Sequence, residues 1–314
     1  MISNNKLLLV VIGAIGLYAV FLAISDFNTV ANHLSKFNFL YLPLILSLVP
    51  CGWFALYMRW ILLLKKSGIN VPWKENLKIY LAGFALAITP GKAGELVKSQ
   101  LLKTKFDIPY SKTAPIVLVE RLYDLVGAIA ASAIGMLMWG IGGYVIGIAS
   151  ALIIIVFVLI SSRNLFDKVV SIFGKFKFAR RFVLPISESY DVVKASSSGK
   201  IVFYASALTF VDWMLESLGI YFVLQSFGIN SINYLDLVST YASSLVIGAL
   251  SFIPGGLGIA EVSLVGLFSL QGISVSFGLA LVVVIRIFTL WYSVVVGFIA
   301  LKMSGGFSLK LQSN

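Results

Sequence analysis

The sequence predicts an all-α integral membrane protein: about six transmembrane helices plus two broken, re-entrant helical hairpins, arranged as an inverted-topology repeat in a single membrane domain, 1–314. Three observations predict it. Apolar runs of roughly 20 residues, each long enough to cross about 30 Å of hydrocarbon as a helix, recur along the whole chain. Two further apolar stretches are interrupted by Pro-Gly. Basic residues and short motifs recur in an order that places two related halves in opposite orientations. Composition agrees: 59% of the 314 residues are hydrophobic and 12% charged, against about a quarter charged in a soluble globular protein.

The spans fall at 7–24, 40–64, 113–139, 144–160, 201–227 and 276–301. The first follows Lys6 and lacks a small-x-small cleavage site after it, so it reads as a membrane helix and not a signal peptide. Stretches 77–102 and 235–270 do not fit as spans, because Pro90-Gly91 and Pro254-Gly255-Gly256 break them. Proline removes a backbone donor and glycine tolerates φ > 0, which suits a turn between half-helices. Broken backbone at membrane depth is tolerated only inside protein or beside water.

Orientation follows from the basic residues. Nine Lys/Arg lie from Lys65 to Lys112 and eight from Arg163 to Lys200, with Lys6, Lys302 and Lys310 near the ends. Lys36 is then the one basic loop residue on the opposite side, and both termini are cytoplasmic. The segment "KVVSIFGKFKFARRF" (168–182), in the basic loop 161–200, mixes aromatics with cations and reads as interfacial. The net charge of +11 marks topology, with attraction to anionic headgroups as the alternative. Nucleic-acid binding is a poor reading for charges held against a membrane. One cysteine, Cys51, and one histidine, His33, leave no ligand cluster for a metal and no cofactor chemistry.

The repeat divides the chain into 1–139 and 140–314. Trp53 and Trp213 lie 160 residues apart, as do Gly68-Ile69-Asn70 and Gly228-Ile229-Asn230. At an offset of 164, Pro90, Gly91 and Gly94 meet Pro254, Gly255 and Gly258; at 165, Arg121 meets Arg286. Glu95 and Glu261 follow the two breaks. Inverted repeats with broken helices near the midplane are typical of secondary transporters.

The chemistry concentrates at the breaks. Half-helices starting after Gly94 and Gly258 would offer backbone N–H groups and a positive dipole end to a phosphate or carboxylate. Glu95 and Glu261 either complement those helix starts or help build a polar site. Arg121 lies beside Glu120 and one turn from Asp124, so Arg121 and Asp124 can share a face, as a structural pair or as part of a site. Arg286 has no acid within a helical turn, and Glu261 or Glu95 is its economical partner. The expected arrangement pairs Glu95 and Glu261 with Arg121 and Arg286 around a cavity, leaving arginine donors for an anionic headgroup. Lys92 and Lys98 flank the first break and read first as solvated cytoplasmic lysines, with guidance of an anion as the alternative. Asp212 and Glu216, at i and i+4, are candidates for proton coupling or for balancing Arg59.

These residues carry a resemblance. "TPGKAGELVKSQLL" (89–102), "ERLYDLVG" (120–127), "PGGLGIAE" (254–261) and Arg286 resemble the lysylphosphatidylglycerol synthase transmembrane family, the flippase-like membrane proteins that include the flippase domain of multiple peptide resistance factor. The resemblance covers most of the chain. It implies handling of a lipid with a polar head, moved between leaflets of the cytoplasmic membrane; an anionic or phosphate-bearing head is what the helix starts and arginines add to that expectation, and no enzyme activity is expected. The expected partners are membrane lipids, a second copy of the chain and a separate lipid-modifying enzyme. Multiple peptide resistance factor carries a soluble aminoacyl-transfer domain after its membrane region, whereas this chain stops at Asn314, so lysyl transfer is not expected. Two other classes stay open: an ion-coupled transporter of a small anionic solute, and an integral membrane transferase with Asp26 as its loop acid.

Overall fold

The computed structural model describes residues 32, 34–89, 94–139, 143–173, 175, 187, 189–197, 199–251, 253 and 256–306. The first predicted span, Asp26, His33, and Pro90, Gly91, Lys92, Pro254 and Gly255 at the breaks lie outside them. The described secondary structure is helical throughout, with no strand among these residues.

A short 3₁₀ turn, Phe39–Tyr41, leads into the first long helix, its start capped by the Asn38 side chain, which accepts from Leu40 N at 3.0 Å. Helix α1 (Leu42–Lys66) follows, with Pro43 where a helix start tolerates proline and Lys65 and Lys66 in the last turn, where cations complement the dipole. Gly68 then takes φ 72°, and Ile69 N donates to Leu64 O at 2.9 Å. Helix α8 (Lys200–Ser226) ends the same way: Gly228 has φ 74° and Ile229 N donates to Leu224 O at 3.1 Å. The two Gly-Ile-Asn triplets are therefore matching Schellman-type stops, a backbone reason for the repeated letters.

Between α1 and α8 the chain forms α2 (Trp73–Ala82), α3 (Val97–Phe106), α4 (Tyr110–Trp139), α5 (Gly143–Ser161), α6 (Arg163–Phe173) and α7 (Tyr190–Ser196). After α8 come α9 (Tyr234–Leu250), α10 (Ile259–Leu270), α11 (Val275–Arg286) and α12 (Tyr292–Met303), with a π turn, Ile287–Trp291, joining the last two. Three stretches among the described residues are long and apolar enough to cross a membrane: Phe39–Lys66, Lys200–Ser226 and Val275–Met303. The 30-residue α4 has the length to cross but carries Glu120, Arg121 and Asp124 in its middle.

Both interrupted stretches are helix–break–helix, and the two differ. In the first, α2 gives way to a 3₁₀ turn at Gly83–Leu86, and the chain resumes in a turn at 94–96 before α3. The arms α2 and α3 touch and have ten residues each, about 15 Å of helix, half a bilayer core. At the open end of this hairpin Glu75 accepts from Lys78 (2.6 Å) and from Lys105 of α3 (2.9 Å), bonds that hold its carboxyl below the ordinary range. In the second hairpin α9 has 17 residues and α10 has 12. The expectation of two half-length arms thus needs correcting there. Its first arm, capped by Asn233 accepting from Asp236 N at 2.9 Å, is about 26 Å long.

Packing joins the two halves reciprocally. Helix α1 runs along α8; α4, from the first half, packs on α9; and α12, from the second half, packs on α2 and its 3₁₀ turn. One apolar cluster forms around Trp213, Tyr241, Leu264, Phe268, Leu281 and Ile285, and another around Trp60, Leu63, Ile79, Tyr80, Leu101 and Tyr123. The contact of α12 with the first hairpin is closest at Gly297, where a Cβ would stand 2.1 Å from Ala85 N and 2.5 Å from the Phe84 carbonyl carbon.

This close approach yields a prediction. Gly297→Ala should push α12 off the 3₁₀ turn and lower the thermal midpoint in detergent, with a loss of about 1–3 kcal/mol for an overpacked contact. An unchanged midpoint would show that the two elements are not in backbone contact.

Candidate functional site

The two sides of the first break are tied together at Thr89 and Gly94. Thr89 Oγ1 donates to Leu86 O (2.7 Å) and accepts from Gly94 N (2.7 Å), so one hydroxyl ties the two sides of the break together. Gly94 fits because it lacks a side chain: a Cβ there would lie 2.3 Å from Leu86 Cβ. This places Glu95 at the start of the returning arm, buried, and aims it at α4.

Six charged side chains meet there in a closed ring. Glu95 Oε2 touches Lys98 Nζ (3.2 Å) and Arg121 Nη2 (3.0 Å). Asp124 bridges Arg121 Nη1 (2.7 Å) and Arg59 Nη1 (2.7 Å). Glu120 completes the circuit between Arg59 Nη2 (3.6 Å) and Lys98. Cations and anions alternate, three of each, from α1 (Arg59), the 3₁₀ turn at 94–96 (Glu95), α3 (Lys98) and α4 (Glu120, Arg121, Asp124). Thr209 of α8 accepts from Arg59 Nη1 at 2.6 Å. The Lys98 ammonium also lies over Trp60 (4.6 Å) and Tyr80 (5.3 Å), so aromatic faces supplement its carboxylate partners. Trp60 is held in turn by Asn76, its indole N–H donating at 2.9 Å.

The second break has a smaller counterpart. Glu261 sits at the third position of α10, where Oε2 accepts from Gly258 N at 2.6 Å, and its Oε1 approaches Arg286 Nε at 2.6 Å. Arg286 ends α11, and the chain widens directly after it into the π turn, a distortion found often beside functional residues. Nearby, Tyr241 of α9 donates to Glu216 Oε1 at 3.1 Å and its ring faces Trp213 at 6.0 Å.

Several sequence expectations change. Lys98 is not a solvated lysine; it is buried and shared by Glu95 and Glu120, because α3 turns it inward toward two acids that its surface reading ignored. Arg59 pairs with Asp124 and Glu120, carboxylates that the sequence reading did not assign to it, and Asp212 Oδ1 lies against Gly52 of α1, 2.5 Å from where a Cβ would be. The α10 N-terminus is not wholly free for a ligand, since Glu261 occupies its Gly258 N–H. Glu95 precedes α3 in a 3₁₀ turn and pairs with Lys98 and Arg121. The structure does bring Glu95 to Arg121 and Glu261 to Arg286, each within its own half. Gly256, at φ 65°, turns the chain into the second break, packed on Gly248 of α9.

Sequence reasoning missed Tyr80 and Tyr241, both buried, one beside each charged cluster. Their signal was available: they stand 161 residues apart, almost in the register of Trp53 and Trp213. It also missed a shallow apolar groove of about 360 Å³ between α1, α2 and α12, lined by Pro50, Trp53, Phe54, Leu81 and Tyr292 among others. Trp53 there packs on Phe84 (5.3 Å) and Tyr292 (5.0 Å). Among the described residues no group of three or more His, Cys, Asp or Glu is disposed to hold a metal.

Fold and site thus define an all-helical membrane protein with buried ion pairs at two helix breaks. Over residues 7–297 the chain matches the lysylphosphatidylglycerol synthase TM region, and it belongs to that family. It is similar to archaeal UPF0104 membrane proteins. One from Methanothermobacter thermautotrophicus is 23% identical, with 96% of each chain covered. One from Methanocaldococcus jannaschii is 25% identical over 68% of this chain and 90% of its own. A third, from Pyrococcus horikoshii, is 22% identical over 76% and 80%.

Removing one partner of a buried pair strands the other. Arg286→Ala should cost about 3–5 kcal/mol, and the swap Glu261→Arg with Arg286→Glu should recover only part of it, because the swapped chain regains the pair but loses the acceptor on Gly258 N. Thermal unfolding of the three variants checks this; a swap no more stable than Glu261→Arg alone would argue against direct pairing.

Proposed function

We propose that this protein moves a phospholipid or a lipid-linked anionic headgroup between the leaflets of the cytoplasmic membrane. The observation that carries the reading is the pairing, at each helix break, of a buried acid with an arginine from a following helix: Glu95 with Arg121, and Glu261 with Arg286. Charge inside a membrane domain is costly and marks substrate or ion pathways. Two such centres, one per half, suit a substrate handed from one to the other.

The reciprocal packing of α4 on α9 and of α12 on α2 supports an inverted repeat of six spans and two re-entrant hairpins, both termini cytoplasmic. Each half then lends its last span to the hairpin of the other, and rocking them exchanges the accessible side. The apolar groove at Trp53 and Phe54 favours a lipid over a free solute, since a lipid route needs a lateral, hydrocarbon-compatible surface beside the polar site. On this reading the protein is a transporter, with membrane lipids as its partners and a lipid-modifying enzyme as a supplier of its substrate.

Headgroup-resolved translocation in proteoliposomes of native lipid extract tests it. The wild type should move one anionic lipid class, and Arg286→Ala and Glu95→Gln should reduce the rate at least about tenfold, the loss expected when a charge-assisted contact worth ~1.4 kcal/mol or more is removed. Equal movement in wild type, variants and empty vesicles would sink the lipid reading and direct the same vesicles to anion uptake or lipid-linked transfer assays.

A further inference from the structure

The six-charge ring has no surplus. Arg59, Lys98 and Arg121 balance Glu95, Glu120 and Asp124, and each touches two groups of opposite sign. An anion drawn into it alone would leave net negative charge buried inside the membrane domain, which is costly. A proton arriving with the anion removes that cost and needs neither space nor a ligand shell.

The ring also shows where the exchange would occur. The side chains of Arg59 and Glu120 are fully buried and those of Lys98 and Glu95 nearly so, whereas 22% of Arg121 and 23% of Asp124 stays exposed. Among the described residues Arg59 Nε and Nη2 and Arg121 Nε are buried without a hydrogen-bond acceptor. The two guanidiniums flanking Asp124 therefore hold buried, unfilled donors, Arg121 at the part-exposed edge of the ring and Arg59 behind it.

We infer that Asp124 is a proton-coupling residue: a phosphate-type anion bound by Arg121 and Arg59 displaces the Asp124 carboxylate, which takes up one proton, so that anion and proton bind together. One O–H bond forms on the carboxyl, the proton comes from bulk water, and ring plus anion stays neutral. The groups facing Asp124 allow this. Arg59 keeps Glu120 and the Thr209 hydroxyl, and Arg121 keeps Glu95. Lys98 closes the far side; Tyr80 of α2 lies within electrostatic range of Glu120, Arg59, Glu95 and Asp212 of α8, and Tyr123 of α4 within range of Arg59. That the anion is a lipid headgroup rests on the proposed function; the coupling does not.

The test uses the full chain in uncharged detergent with two probes of one chemistry, dihexanoyl-phosphatidylglycerol and its chain-free headgroup glycerophosphoglycerol, both phosphodiesters that keep their charge near neutral pH. Wild type should take up about one proton per lipid bound, read by an indicator dye in weak buffer, and its Kd should rise up to about tenfold per pH unit while Asp124 is ionised in the free protein. Asp124→Asn should bind the lipid with a Kd that does not change with pH and without proton uptake. Should that variant misfold, the wild-type pH series decides alone. Lipid binding by wild type at a constant Kd with no proton uptake would overturn the coupling and leave the flippase reading standing. Proton uptake with glycerophosphoglycerol but not the lipid would support the coupling and overturn the flippase reading. Binding of neither probe, or undiminished uptake by a folded Asp124→Asn, would overturn the inference.

Discussion

A charge in hydrocarbon is tolerated only beside its opposite, and the rest of this structure is arranged around that constraint. Arg59, Glu120, Arg121 and Asp124 stand on long helices whose other residues are mostly apolar. None could be buried alone at a cost below several kcal/mol. The first hairpin brings Glu95 and Lys98 to them, and only with those two does the circuit close. The first break is in this sense a delivery device, because a continuous helix would carry Glu95 past α4 instead of turning it back toward Arg121. The Thr89 bonds to Leu86 and Gly94 keep that turn shut.

The same constraint explains why the two breaks differ in form. The first supplies an acid and a lysine to three charges on α4 and one on α1, so its returning arm starts at the ring while the other arm lays Tyr80 against Lys98. The second supplies one acid to one arginine, and Glu261 does so while capping its own helix. A long first arm is compatible with that simpler task, and α9 uses its length to pack on α4. The shared feature is the pairing of a hairpin acid with an arginine farther along the same half.

How much of this the letters disclosed depends on the interaction concerned. Helices were readable from apolar runs, and the boundaries of α1, α5 and α8 fall within about two residues of the predicted spans, because hydropathy changes sharply where Lys, Gly and Ser begin. The triplets Gly68-Ile69-Asn70 and Gly228-Ile229-Asn230 were readable as a repeat, although their cause, a left-handed stop after each helix, is a local backbone demand that unrelated helices share. The partner of Arg286 was narrowed correctly to two acids by exclusion. Lys98 was misjudged, and Asp124 and Glu120 were missed as partners of Arg59, for one reason: whether a charge faces water or a partner depends on which helices meet, and α1 meets α4 only through a fold that spacing does not encode. Tyr80 and Tyr241 were missed because tyrosine is ordinary in a membrane sequence and only its neighbours make it notable.

The central claim is that the buried charges form one mutually dependent ring and not a set of independent pairs. A double-mutant cycle on Lys98→Met and Asp124→Asn, which stand opposite each other in the ring, read as unfolding free energy in detergent, addresses it most directly. Each single change strands an opposite charge and should cost about 3–5 kcal/mol, while the double variant, with charge balance restored, should be far less destabilised than the sum. Losses that simply add would contradict the ring and leave a set of independent pairs.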